Sequence, residues 1–561
     1  SPRHRVGLPT YPFQHASYWI EPGKGHSDSL LEDIRPLRQE SFDDWFRVPR
    51  WVQQGILETS DEQHTWLVFL GEEPVGHALV ERLRAAGHTV VTVQAGDTYA
   101  RLDEHAFTIA AEAGGAGYLE LIETLAEAGL LPDRILHTWL LTWERNFRPG
   151  STFFHRNQEF GFYSLFHLAQ ALGKAGGEDA PIHWIVAANG SQRIAAEALP
   201  YPDKATALGP CAVIPREFPG FTCRFVDVAL PEINAKRRRT TTLDEAASPV
   251  IDALAGELEG EAQGGVVAWR DGVRWERHLG RWKPGDATPA PRLRERGVYL
   301  ITGGLGGIAG IVAEWLITRY KAKVALLSRT PLPARDDWDD WLASHPADDS
   351  ISRAIQRVRQ LELLGGEVLP VAGDVTVADR MHEVVAEIKQ RYGAINGVFH
   401  TAGVIRDNLI QLKSQRDVEE VFAAKVYGTV VLEETLGDTP LDFMLLFSSN
   451  SAFVAPQGQV DYVGANAFLN AWADARRDTA GYPVIAVNWG IWKHVGMVAS
   501  DTAAPQATSH PVSYPLFRER LSAREGVTQI HTLRGELSAQ DDWPVNEHRL
   551  GSGEALLPCT V

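Results

Sequence analysis

Four side chains in the second half of the chain are of the types that could move a proton together: Lys425, Ser449, Tyr462 and Asn466. A phenol, with an ordinary pKa near 10, stays protonated at neutral pH and can donate. A nearby ammonium lowers that pKa and stabilises the tyrosinate left behind. A serine hydroxyl can orient an acceptor oxygen by hydrogen bonding. The pattern predicts a strand over Asp442 to Phe447 ending in Ser448-Ser449, a helix over Tyr462 to Arg476 and an earlier helix over Val418 to Glu434 that carries Lys425. Tyr462 and Asn466, four apart, share one helix face. Each residue alone suits a blander role: a turn serine, a half-buried aromatic, a surface charge.

The element that must position them is Gly297 to Thr330, GVYLITGGLGGIAGIVAEWLITRYKAKVALLSRT. Val298 to Thr302 is an apolar run ending in a Gly-rich turn. Ile308, Ile311, Val312, Trp315 and Leu316 then recur at helical spacing, and Lys323 to Leu327 is a second buried strand. This is a βαβ unit of a doubly wound parallel sheet. Gly304, Gly306 and Ala309 fit G-x-G-x-x-G/A, in which small residues admit a pyrophosphate to a helix N-terminus. The position about 20 residues later that carries a carboxylate in NAD sites holds Ser328 and Arg329, a hydroxyl and a cation suited to a 2′-phosphate. The expected cofactor is therefore NADPH. Gly397 to Gly403, GVFHTAG, reads as another strand entering a small-residue loop, and sites in such sheets lie beyond the carboxyl ends of the strands.

With TGGLGGIAG, HTAGVIRDNLI, AAKVYGT, FSSNSAFVAPQGQVDYVGANAFLNA and VNWGIW in this order, the sequence resembles the ketoreductase of modular polyketide synthases, a branch of the short-chain dehydrogenase/reductase superfamily. Most of that superfamily carries Tyr-x-x-x-Lys; Tyr-x-x-x-Asn with an upstream lysine is the polyketide arrangement. The resemblance implies that Tyr462 protonates a β-keto oxygen as hydride arrives, Ser449 orients it, Lys425 supplies positive charge and Asn466 holds the water that resupplies the proton. It places the cofactor on Thr302, Gly303, Gly304, Leu305, Gly306, Gly307, Ile308, Ser328, Arg329, Asp374, Val375, Thr401, Ala402 and Gly403, with Asp374 against the adenine. It also bears on stereochemistry. Members forming the B-type, 3R alcohol carry Leu-Asp-Asp where this chain has Ile405-Arg406-Asp407, and the tryptophan that marks A-type members is replaced by Val454. The expectation is a B-type product.

At 561 residues the chain exceeds one core. A net charge of −18 argues against a nucleic-acid partner. Cys211, Cys223 and Cys559 form neither a disulfide framework nor a metal spacing, and the histidines show no ligand pattern, so no metal is expected. No apolar run reaches the ~18 residues of a membrane span, and Ser1 to Pro9 lacks a signal peptide's apolar segment. A cytoplasmic piece of a larger chain is expected, with no membrane partner.

Residues 1–42, with Tyr11, Phe13, Tyr18 and Trp19 among prolines, are similar to the linker that follows an acyltransferase domain. Residues 43–290 repeat an α/β pattern: strands at Thr65 to Gly71, His88 to Val93, Arg134 to Leu141 and His183 to Ala188, with a helix at Pro74 to Ala86. The turn after the first strand holds Glu72 and Glu73, which repel phosphate. This half, with GPCAVIPREFPGFTCRFVDVAL and the hairpin-like WRDGVRWERHL, is similar to the truncated, cofactor-free Rossmann-like structural subdomain of polyketide ketoreductases. Residues 291–498 form the catalytic half, an α/β doubly wound sheet. Lys236 to Arg239 reads as an exposed loop and Asp336 to Asp340 as a solvated helix start. Residues 499–541 read as a linker, and 542–561, with His548, are similar to the opening of a dehydratase. The implied substrate is a β-ketoacyl thioester on the phosphopantetheine arm of an acyl carrier protein. The competing class is an inactive ketoreductase kept as a scaffold.

Overall fold

The computed structural model describes residues 45–55, 62–71, 73–142, 152–176, 181–230, 243–282, 292–492 and 495, with strands at 508–511, 519–525 and 528–534. The 1–42 linker, Glu72, Lys236 to Arg239, Cys559 and the dehydratase-like 542–561 lie outside these residues. Among the described residues, 45–50 and 278–282 form one compact unit, in which Arg50 Nη2 donates to Arg281 O at 2.8 Å; the others form a second, larger one.

The first half of the larger unit is a parallel sheet of β1 (Thr65–Leu70), β2 (Thr89–Ala95), β3 (Ala106–Ile109), β4 (Arg134–Leu140), β5 (Ile182–Asn189), β6 (Phe221–Val228) and β7 (Gly265–Arg270). Its order is β7-β6-β5-β4-β1-β2-β3, and Val273–Arg281 returns antiparallel along β7. α1 (Pro74–Ala85) and α2 (Leu208–Glu217) are among its helices. The truncation expected here is confined to one crossover: between β2 and β3 the chain makes a two-residue strand, Ala100–Arg101, and no helix.

The second half comprises β8 (Val298–Thr302), α3 (Gly307–Tyr320), β9 (Lys323–Ser328), α4 (Ser350–Leu363), β10 (Glu367–Ala372), β11 (Gly397–His400), α5 (Gln415–Phe422), α6 (Gly428–Leu436), β12 (Phe443–Ser449), α7 (Val460–Arg476) and β13 (Val484–Trp489). The order β10-β9-β8-β11-β12-β13, parallel throughout, is the doubly wound arrangement, with its switch point between β8 and β11. Every residue of β8 is buried, which explains its continuous apolar run.

Four expectations change. The α3 face that packs inward is Ala309, Gly310, Ala313, Leu316 and Ile317, while Ile311 and Trp315 are 37% and 48% exposed. The small residues bring the helix close to the sheet, so the larger apolar ones point outward. The helix expected over Val418 to Glu434 is broken by a π-helical turn, Ala423–Tyr427. The stretch expected as linker holds antiparallel strands Thr508–Pro511, Glu519–Glu525 and Thr528–Arg534. The Asp-rich helix start also proves only partly solvated, since Trp338 is buried beneath Arg335 and Arg359.

The two halves share α7 as a common buried element. α7 is enclosed on nearly all sides, packing against β12 and β13 of its own half and against the 202–217 stretch of the other. Glycines permit this. A Cβ on Gly464 would meet Thr206 O at 2.7 Å, and one on Gly209 would meet Gly464 N at 2.8 Å. In the first half the carboxyl ends of β4 and β5 are closed by Lys204, fully buried, whose Nζ donates to Leu140 O, Thr142 Oγ1 and Asn189 Oδ1, each at 2.8 Å. The matching edge of the second half is open.

Candidate active site

That open edge begins at the turn after β8. Gly303 has φ +65°, a left-handed conformation that favours glycine, and a Cβ on Gly304 would meet Leu326 Cα at 2.6 Å. Gly304 N donates to Leu327 O and Gly306 N to Gly303 O, both at 2.9 Å, folding the turn against β9. Gly306 caps α3 with no side chain, so the first-turn amides stay available to an anion. The cleft outside the turn, about 230 Å³, is lined by Thr302, Gly303, Leu305, Gly306, Ser328, Arg329, Asp374, Val375, Ala402 and Gly403 among the predicted cofactor residues. Gly304 and Thr401 shape it from behind; Thr401 Oγ1 donates to Thr302 O at 2.6 Å. Ile308 packs partly buried against the core, and Gly307 lines the adjoining cavity. Asp374 Oδ1 accepts from Thr376 N and Oγ1, turning part of that carboxylate into its own loop.

The adjoining cavity, sharing Leu305, Ser328 and Thr330 with the cleft, adds two residues not foreseen from sequence: Arg353 and Arg357 of α4. Arg357 Nη1 lies 3.4 Å from Gly307 O and across Gly310, at the start of α3. Arg335 and Arg359 nearby are paired with Glu362 and Asp339, whereas Arg329, Arg353 and Arg357 form no ion pair among the described residues. Cations left unpaired at a helix N-terminus suit a bound polyanion. Their signal in the sequence is the four-residue spacing of Arg353 and Arg357, which sets both on one face of α4. The turn, the bare amides and the three arginines thus fit a dinucleotide with an additional phosphate.

The proton-handling residues converge beside this cleft. Lys425 sits in the π-helical turn, a feature frequent at functional sites, and is 3% exposed. Its Nζ donates to Phe447 O at 2.7 Å and lies 5.3 Å from the centre of the Tyr462 ring. It forms no ion pair among the described residues, and burial pulls its pKa down to about 7. Gly403, which lines the cleft, packs against its stem: a Cβ there would meet Lys425 Cε at 2.9 Å. Ser449 ends β12 and accepts from Ser451 N at 3.2 Å. Burial raises the Tyr462 pKa, opposed by hydrogen bonding to Asn466 and Ser449 and reinforced by Asp407. Asn466 is fully buried; its Nδ2 donates to Tyr462 O at 2.7 Å and its Oδ1 has no hydrogen-bond partner among the described residues. Ser448 Oγ donates to Asn466 O at 3.1 Å, fastening α7 to β12. His400 is buried beside Thr302, and burial pulls its pKa to about 3, so it is neutral.

The three candidate stereocontrol residues diverge. Asp407 accepts from Gln459 Nε2 at 3.0 Å and faces Tyr462 closely enough to raise its pKa. Arg406 is instead paired with Glu420 at 2.7 Å, a residue that lines the cleft. Val454, the last residue of the short helix after β12, is 56% exposed.

Residues 297–494 match the family described as KR domain, and residues 64–235 the family described as beta-ketoacyl synthase-like, N-terminal. Polyketide synthase PksM of Bacillus subtilis is 24% identical over 543 residues, 96% of this chain and 11% of that protein. Polyketide synthase ThaG of Burkholderia thailandensis is 35% identical over 257 residues, 46% of this chain and 4% of that protein. The chain therefore spans only a small part of these relatives. The crystal structure of an N-terminal ketoreductase from the macrolactin assembly line shares the fold: 23% identity, TM-score 0.64, covering 80% of this chain and 83% of that one. Among the described residues no helix is long and apolar enough to cross a membrane.

Proposed function

We propose, from the match of residues 297–494 to the family described as KR domain and from the similarity to polyketide synthases, that the chain is an active NADPH-dependent ketoreductase. It reduces the β-keto group of an acyl thioester, carried on the phosphopantetheine of an acyl carrier protein, to the B-type hydroxyl. The observation that carries this reading is the Lys425 ammonium 5.3 Å from the Tyr462 ring, directly behind the cofactor cleft at Gly403. A scaffold would have no use for a buried cation without a counter-ion, which is costly to keep.

Gly303 to Gly307 and the α3 amides would hold the pyrophosphate, and Ser328, Arg329, Arg353 and Arg357 the 2′-phosphate. NADPH supplies the hydride. Ser449 Oγ donates to the ketone oxygen and holds it at the phenol, and Tyr462 gives its proton to that oxygen as negative charge develops there. The tyrosinate is stabilised by Lys425, whose own charge is maintained once an anion forms beside it. Asn466 Oδ1, buried and without a hydrogen-bond partner among the described residues, is the acceptor that anchors the route by which the phenol regains its proton. Asp407, held by Gln459, bounds the substrate side, and its retention while Arg406 is tied to Glu420 favours the B-type product.

The test is NADPH oxidation with a β-ketoacyl thioester surrogate and chiral analysis of the alcohol. The parent is expected to give one enantiomer, and Tyr462→Phe to lose about 10²–10⁴-fold in kcat with NADPH affinity unchanged. A Tyr462→Phe enzyme of parental rate would sink the proton-donor role; a parent inert toward several surrogates would sink the function.

A further inference from the structure

The loops that flank Tyr462 on the substrate side, 404–413 and 455–459, are held by the other half of the molecule. Glu217, the last residue of α2, uses its two carboxylate oxygens on two different loops: Oε2 accepts from Ile410 N at 2.6 Å and Oε1 from Gly458 N at 2.8 Å. The loops are cross-bonded to each other where Glu217 grips them. Asn408 N donates to Gly458 O at 3.0 Å, and Gln459 Nε2 donates to Asp407 Oδ2 at 3.0 Å. Gly458 has φ +80°, so its amide reaches the carboxylate through a conformation that favours glycine. Gln170, also from the first half, adds donors to Ile410 O at 2.8 Å and Lys413 O at 2.9 Å.

A carboxylate accepting two backbone amides makes charge-assisted bonds, and its loss leaves two partly buried donors unsatisfied. We propose that Glu217 is a positioning residue through which the cofactor-free half fixes the two substrate-side loops, and so the face of the ketone presented for reduction. Glu217 lines neither the cofactor cleft nor the adjoining cavity. Its influence reaches the substrate through Asp407 and Gly458, and cofactor binding lies outside it. This rests on the reductase reading above, yet it makes a claim about loop order that is readable without turnover.

The experiment compares the parent chain with Glu217→Ala and Glu217→Gln. Gln keeps the volume but presents the NH2 of its carboxamide, a donor, to one of the two backbone amide donors. Three quantities are measured: enantiomer ratio and kcat/KM with a β-ketoacyl thioester surrogate, NADPH affinity by fluorescence, and backbone amide exchange by mass spectrometry. Expected are a kcat/KM loss of 10-fold or more, an eroded enantiomer ratio, NADPH affinity within twofold of the parent, and faster exchange confined to peptides covering 404–413 and 455–459. Unchanged enantiomer ratio and exchange in folded variants would overturn the proposal. So would exchange accelerated across the whole second half with NADPH affinity lost, the mark of a merely structural carboxylate. A parent inert toward the surrogates counts against the reductase reading; the loop clamp then stands or falls on whether the faster exchange is confined to those two loops.

Discussion

Gly209 and Gly464 meet at a helix crossing where a Cβ on Gly209 would stand 2.8 Å from the Gly464 nitrogen and closer still to Val460 O. Gly464 lies two residues beyond Tyr462, so the helix that carries the phenol and Asn466 is seated through this contact. Its obstructing atoms are backbone, which cannot rotate out of the way.

Gly209→Ala should therefore cost more than the usual 1–3 kcal/mol of overpacking, about 3 kcal/mol or above. In the same protein Gly256→Ala, where a Cβ meets nothing within 4 Å, should be neutral or slightly stabilising. Thermal or denaturant unfolding of the two variants checks this. Equal midpoints would refute the close-packed crossing.

Lys425 offers a second test, because activity and stability should move in opposite directions. Its pKa of about 7 in the folded protein lies below the ordinary lysine value. Between those values the unfolded chain binds more protons, so stability rises with pH across that window. The penalty of holding the ammonium is fully present below pH 7 and disappears above the unfolded pKa. Lys425→Met should lose about 10²-fold in kcat yet unfold later than the parent at pH 6–7, by on the order of a few kcal/mol. That gap should narrow toward pH 10. The parent's kcat/KM, which depends on the charged form, should fall as pH rises through about 7.

Much of this site is legible in the sequence because its local rules are strict. The turn after β8 requires glycine at 303, 304 and 306, where an added Cβ would meet neighbouring backbone, and Tyr462 and Asn466 must share a helix face at four-residue spacing. What escapes such reading is decided by partners far along the chain. The π-helical turn around Lys425 is one case: its apolar pattern is that of an ordinary helix. The inward face of α3 departs from its apolar spacing for a related reason, since close approach to the sheet selects Ala309, Gly310 and Ala313 there and sends Trp315 outward. Glu217, Arg353 and Arg357 look like any surface charges until the fold brings Glu217 to Ile410 and Gly458 and the two arginines to the cavity beside Ser328.

The arginines around Ser328 lead to a prediction about cofactor choice. If Arg329, Arg353 and Arg357 hold a 2′-phosphate, neutralising one removes a charge-assisted bond worth ~1.5–3 kcal/mol, or about 10–100-fold in affinity. Arg329→Gln and Arg357→Gln should raise the KM for NADPH by that factor and leave the KM for NADH nearly unchanged. Parallel steady-state kinetics with the two cofactors decides it, and equal losses for both would place these arginines outside the 2′-phosphate site.

The residue next to Tyr462 belongs to a buried ion pair. Asp461 Oδ2 accepts from Lys413 Nζ at 2.8 Å, both side chains being at most 1% exposed, and Asp461 Oδ1 accepts from Tyr462 N at 2.8 Å. Lys413 Nζ also donates to Arg406 O, so this pair joins the start of α7 to the loop carrying Asp407. Breaking one side leaves a buried charge uncompensated, which typically costs 3–5 kcal/mol, whereas replacing both with apolar groups of similar volume is often neutral. Asp461→Leu alone should thus destabilise by about 3–5 kcal/mol, and Lys413→Met combined with it should recover most of that loss. If the pair also sets the loop, the recovered double variant should still show reduced kcat/KM for the thioester, because an apolar contact restores packing without fixing Arg406 O and the Tyr462 amide. Unfolding curves and kinetics on the two variants separate these effects: full recovery of both stability and kcat/KM would mean that the pair has no positioning role.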